Sequence, residues 1–152
     1  EHMCLDLSEF SGLLDDFEGV VGECTIRKFR KPPISPTHFE LMLLRKSFSD
    51  AEDRPRLSRL YHRLFEVTFA SCTVLSCFGL GWGDAEAAQL ARTLKLGLLP
   101  ALERLLLRAN VIGKNGAIAL MRALDNPRIS PKLRLLDLSN NRIPSDPLHL
   151  LR

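Results

Sequence analysis

None of the four cysteines, at positions 4, 24, 72 and 77, is spaced as C-x-x-C, and the four histidines (His2, His38, His62, His149) are scattered. A metal cluster or a dense disulfide framework is therefore not expected. Charge of one sign is also lacking. Lys plus Arg number 21 against 18 Asp plus Glu, a net of +3, which is too little to make nucleic acid the default partner. The longest uncharged stretch, 67–83, is interrupted by Thr, Ser, Cys and Gly and falls short of the ~20 mainly apolar residues of a spanning helix. No charged-then-apolar leader opens the chain, which begins Glu-His; it reads as soluble and as a processed or trimmed product. No G-x-S-x-G elbow, phosphate-cradling glycine loop or paired carboxylates is visible. Neither catalysis nor a cofactor is expected.

What the chain does have is enough apolar residues, 45% of 152, for one domain with a sizeable core. Charge is distributed unevenly. Residues 1–26 hold seven acids and no Lys or Arg, whereas residues 72–152 hold eleven bases against six acids. Leucine is uneven too, with 20 of its 30 residues at or after position 75, which invites a search for internal periodicity. Leu102, Leu105, Leu107, Asn110 and Ile112 recur, displaced by 31, as Leu133, Leu136, Leu138, Asn141 and Ile143. Displaced by 30 the other way, Cys72, Leu75, Cys77, Leu80 and Trp82 fill the same slots, followed by Ala87, Leu90 and Leu94.

The L-x-x-L-x-L-x-x-N pattern, met in full at 102–110 and 133–141, resembles the leucine-rich repeat family. The long period and the segment from Ile112 to Leu120 are similar to its ribonuclease-inhibitor and NLR-receptor branch, in which a helix follows every strand. The resemblance covers about residues 72–152. It implies an α/β fold, a short solenoid of strand-turn-helix units, and a role in binding other proteins. The residues point the same way by themselves. Alternation in L-x-L is the period of a strand with one buried face, and Ala117, Leu120, Ala123 and Leu124 share a helical face. A unit this thin needs stacked neighbours to complete a core. Asn110 and Asn141 stand where the strands end and can satisfy backbone groups that no ladder reaches. Gly83 and Gly113 suit tight bends. Cys72, Cys77 and Trp82, in core slots, are expected to be buried.

The first part of the chain is expected to cover the solenoid's first edge, giving a division into a helical cap, 1–53, and a repeat domain, 54–152. Leu57, Leu60 and Leu64 align with Ala87, Leu90 and Leu94, so a helix of a strandless or diverged unit is expected at 54–66, with Pro55 in its first turn. Thr37-x-x-Glu40 is a capping-box pattern ahead of Leu41, Leu43 and Leu44 and predicts a short helix to about Phe48. Asp6-x-x-Glu9 precedes Phe10, Leu13, Leu14, Phe17 and Val21, spaced as one helical stripe that packs on its own chain or on a partner. The basic run 27–31 is expected to be a solvated loop paired with the acidic segment before it.

Two surfaces are candidates for binding. Residues alternating with the buried positions should line a concave face in rows: Val74, Arg104 and Leu135; Ser76, Leu106 and Asp137; Phe78, Arg108 and Ser139. Apolar residues beside Arg suit an interface centre; the alternative is an ordinary solvated face with Arg108 and Asp137 paired. At the C-terminal end, Pro144 and Pro147 replace the helix start, and Leu148, Leu150 and Leu151 form a lid or an edge for a partner, or else the chain is a truncated longer solenoid. The expected function is a non-enzymatic, intracellular accessory subunit of a larger complex. A transient recognition fragment using the concave face is the alternative. In another class, Arg104, Arg108, Lys132, Arg134 and Arg142 would form a patch for RNA or an anionic surface; peripheral membrane contact stays open.

Overall fold

The computed structural model describes residues 17–18, 23–26, 31–126 and 128–144. Among them the chain is mixed helix and strand. The strands are β1 (Phe17–Glu18), β2 (Glu23–Ile26), β3 (Val74–Ser76), β4 (Arg104–Leu106) and β5 (Leu135–Asp137), and they form one open sheet in sequence order. β1 pairs antiparallel with β2, and every later pairing is parallel. The helices are α1 (Pro36–Leu43), α2 (Asp53–Phe69), α3 (Asp84–Leu94) and α4 (Lys114–Leu124). No helix among the described residues is long and apolar enough to cross a membrane.

The core follows the periodic slots. Leu75, Cys77, Leu102, Leu105, Leu107 and Ile112 are inaccessible to water, Cys72 and Trp82 nearly so, and Ala87, Leu90, Leu94, Ala117 and Leu120 close the helical side. Leu133, Leu136 and Leu138 pack against this cluster from the last strand but are only partly buried. α3 and α4 have the same length, follow Gly83 and Gly113 as N-caps, and start from nearly the same backbone angles (−103°, −160° and −96°, −165°). Neither of these glycines is in the left-handed region expected of a tight bend. That conformation falls instead at Gly79, Ala109 and Asn140 (φ 65°, 59° and 54°), which share one slot just after each strand. Glycine meets it without strain and asparagine tolerates it, whereas an alanine adopts it at a cost.

The N-terminal reading needs correction. Phe17 and Glu18 belong to a strand, so the stripe from Phe10 to Val21 is not one helix; Phe10, Leu13 and Leu14 lie outside the described residues. Gly19 and Gly22 weaken a helix there, and Thr25 and Ile26 are β-formers in the strand that extends the sheet. The register Glu23↔Val74, Cys24↔Leu75 and Thr25↔Ser76 places a strand ahead of β3 after all. A search at displacement 30 misses it because 26 residues, 27–52, separate it from α2.

α2 also turns a different face inward. Phe65 and Phe69 are buried, their ring centroids 4.5 Å apart, whereas Leu60 is 52% exposed. Leu57 and Leu64 are half-buried beside these rings, which take the innermost positions. α1 is capped by Ser35, whose Oγ accepts from the His38 N–H at 3.2 Å, rather than by Thr37. It buries Phe39 and Leu43 and leaves Leu41 and Leu44 exposed.

Residues 31–34 form a strap that ties α1 to the sheet domain. Gln89 Nε2 donates to the Pro32 carbonyl and Thr93 Oγ1 to the Pro33 carbonyl, both at 2.9 Å. Tyr61 donates its hydroxyl to the Ile34 carbonyl at 2.8 Å. Lys31 pairs with Glu86 at 2.7 Å, so this end of the basic run meets α3 rather than the acidic N-terminal segment; Arg27, Lys28 and Arg30 lie outside the described residues. The Lys31 ammonium and the Gly83 N–H hold the Glu86 carboxyl below its ordinary pKa.

This packing can be tested at two positions. A Cβ on Gly116 would stand 2.7 Å from Asp84 Oδ1, 2.8 Å from Ile112 Cγ2 and 2.9 Å from the Ala87 Cβ. Gly116→Ala, which would stabilise an isolated helix by ~1 kcal/mol, is expected to destabilise this protein by about 1–3 kcal/mol in denaturant unfolding. Tyr61 is stacked on Phe39 at 4.0 Å, and burial pushes its hydroxyl up to about 12. Its folded pKa thus exceeds the unfolded value near 10. The stability this provides is complete below about pH 10 and is lost as pH rises toward 12, by about 2–3 kcal/mol. Tyr61→Phe should cost about 1 kcal/mol at neutral pH yet lose less than the parent as pH rises from about 9.5 to 11.5; parallel stability curves would refute the assignment.

Candidate protein interaction surfaces

The strand face is built by register. Val74 pairs with Arg104 and Arg104 with Leu135; Ser76 pairs with Leu106 and Leu106 with Asp137. These are the two expected rows. The third continues past the strand ends, where the Gly79 N–H donates to the Arg108 carbonyl at 3.1 Å and the Ala109 N–H to the Ser139 carbonyl at 3.0 Å. Phe78 is 60% and Leu135 45% exposed; Arg104, Arg108 and Ser139 are exposed, and Ser76, Leu106 and Asp137 half-buried. Val74 departs from the expectation. It is buried.

Asp137 does not depend on Arg108 for its partner. Its Oδ1 accepts from the Ser139 hydroxyl at 2.6 Å and the Ser139 N–H at 2.9 Å. These bonds, and more weakly the charge of Arg108, hold its carboxyl below the ordinary value. Arg108 forms no ion pair among the described residues and stays available beside Phe78 and Leu106.

The Asn slots anchor this face from behind. Asn110 Oδ1 accepts from the Leu80 and Trp82 N–H groups, both at 3.0 Å. Its Nδ2 donates to the Cys77 carbonyl at 2.7 Å and the Leu107 carbonyl at 2.9 Å. Asn141 does the same one step on. Its Oδ1 accepts from the Ile112 N–H at 3.0 Å, and its Nδ2 donates to the Leu107 and Leu138 carbonyls, both at 2.9 Å. Two buried or half-buried amides thus lock three turns together.

At the C-terminal end β5 is the edge of the sheet, and no helix among the described residues covers it. Leu133, Leu136, Leu138 and Ile143 are all half-buried there. Leu148, Leu150 and Leu151 lie outside the described residues. Lys132 and Arg134 precede β5 and Arg142 follows it; all three are exposed. A further apolar surface was not expected from the sequence. Leu41, Met42 and Leu44, 57%, 45% and 60% exposed, stand on α1 and just past its end, and Leu41 and Leu44 line a shallow groove of about 290 Å³ together with Glu40, Arg54, Pro55 and Ser58. The signal was present in the helical spacing of Phe39 and Leu43, which turns the other leucines outward.

No group of three or more His, Cys, Asp or Glu that could hold a metal occurs among the described residues. Cys72 and Cys77 are buried thiols, and the Cys72 thiol donates to the Val74 carbonyl at 3.3 Å. Removing the Asn110 amide by Asn110→Ala strands the Leu80 and Trp82 N–H groups and the Cys77 carbonyl. It should destabilise by about 3 kcal/mol or more in denaturant unfolding, and a loss below about 1 kcal/mol would show that the turns are held by other contacts. No family model, curated protein or solved structure matches the chain.

Proposed function

We propose that this chain is a non-enzymatic protein-interaction module, a short leucine-rich-repeat solenoid that serves as an accessory subunit of a larger assembly. The observation that carries this reading is the edge at β5. Leu75 and Leu105, and behind them Cys77 and Leu107, are fully buried, whereas Leu136 and Leu138, next in the same rows, are left partly open to water. Apolar surface continuing a core row to an edge that no described helix covers is unfavourable in water and marks interfaces. The face with Phe78, Leu106, Leu135 and the two arginines adds a second, smaller contact of the composition found at interface centres. An intracellular setting accords with two thiols kept in the core.

Blue-native separation of the endogenous chain, with mass spectrometry of what co-migrates, tests the reading. Migration in a particle well above the chain's 17.1 kDa, with release by the triple substitution Leu148→Ser, Leu150→Ser and Leu151→Ser, is the expected result. Migration as a free chain would overturn it. Attention would then pass to the strand face as a transient site, to be probed with Phe78→Ser and Leu135→Ser.

A further inference from the structure

We infer that the flank formed by α4 and the β5 edge binds an acidic, partly apolar segment of a different protein, and not one more strand and helix of the kind already present. The inference rests on the interaction-module reading and specifies its partner. Its starting point is a contact between helices. Asp84 is the first residue of α3, and its Oδ1 accepts from the Gly113 N–H at 2.7 Å and the Gly116 N–H at 2.9 Å. α3 therefore caps the N-terminus of α4 across their interface, supplying negative charge where free N–H groups and the helix dipole call for it.

The next step along the chain reverses every part of that arrangement. Lys114 opens α4 in the position that Asp84 holds in α3. At the displacement of 31 that relates Asn110 to Asn141, Gly113 and Gly116 correspond to Pro144 and Pro147, which have no N–H to donate. The acceptor and both donors are lost together. A further helix set on α4 as α4 is set on α3 would bring its positive N-terminus against an ammonium group, with no carboxylate to cap it.

The same replacement defines what does fit. Lys114, Ile118 and Met121 stand at i, i+4 and i+7, one stripe of α4, with Ile118 half-buried and Met121 42% exposed. Arg142 is exposed, and its N–H donates to the Ile112 carbonyl at 2.8 Å, two residues from Lys114. Neither Lys114 nor Arg142 forms an ion pair among the described residues. Two cations thus stand at one end of an apolar stripe. The opposite flank of the same helix pair is already closed: Gln89 and Thr93 of α3 hold the strap at Pro32 and Pro33, and Glu86 there meets Lys31. On that side an acidic helix start accepts a basic strap; on the open side a basic helix start calls for a segment carrying Asp or Glu with apolar side chains beside them.

A photo-crosslinking residue, p-benzoylphenylalanine, placed at Met121 in the full-length chain in cells tests this. The expected adduct is with another protein, at a segment where Asp and Glu outnumber Lys and Arg. It should fall about tenfold or more in the pair Lys114→Glu, Arg142→Glu. It should persist in the pair Lys114→Arg, Arg142→Lys, which keeps both positive charges. If the Glu pair fails to fold, Lys114→Gln with Arg142→Gln should give a smaller loss in the same direction. An adduct to residues 145–152 of the same chain, to a second copy, or to a segment without acidic excess overturns the inference. So does the absence of any adduct while the chain still migrates in a larger particle, an outcome that leaves the accessory-subunit reading standing. No adduct together with migration as a free chain would remove both.

Discussion

The fold depends on how the backbone is satisfied where each strand stops. Three-residue strands run out of ladder quickly, and the chain must then turn back over a core that excludes water. Asn110 resolves this with one side chain. It bridges the carbonyls of Cys77 and Leu107 while receiving the N–H groups of Leu80 and Trp82. The Leu107 carbonyl accepts from Asn110 and from Asn141 alike, so the amides form a continuous ladder across the turns. That ladder fixes the spacing of the strands and helices, and the spacing in turn lets Leu75, Leu105 and Leu136 share one row and Gly116 approach Ala87 and Asp84.

This explains which parts were legible in the sequence. The core slots at displacements of 30 and 31 were readable because each slot is dictated by the same turn. The two strand-face rows were readable for the same reason, since alternation and register follow once the turn is placed. What escaped lies outside the ladder. β2 joins the sheet by backbone pairing with β3, which requires no shared side-chain spacing, and a long connection hides its relation to α2. On α2 Phe65 and Phe69 take the innermost positions and Leu60 turns outward, while Leu57 and Leu64 stay half-buried, because the position of a helix is settled by the volume it must fill.

The two flanks of the helix layer show how little chain is needed to close such a surface. Residues 31–34 suffice on α3, because the carbonyls of Pro32 and Pro33 lie within reach of Gln89 and Thr93, and because both prolines are themselves buried. The strap therefore acts as an apolar cover fastened by side chains of the helix it covers. It also explains why Thr93, a polar residue, is buried in α3 without an unsatisfied hydroxyl.

On the other flank the requirement is the same and the chemistry opposite. Each helix of this pair presents one charged residue at its start to whatever lies beside it. Asp84 meets backbone N–H groups and needs no further partner; Lys114 is a donor, and no donor-rich helix start can answer it. Another helix joined to α4 as α4 is joined to α3 would need an acid at this position, since the Asp84 carboxylate is what joins the one helix start to the next. Exchanging it for a lysine, with prolines in place of both N–H groups, removes that joint and leaves a cation beside apolar surface. Specificity here arises from incompatibility as much as from attraction: the flank rejects its own kind by charge and by the missing donors, and so selects a chemically different neighbour.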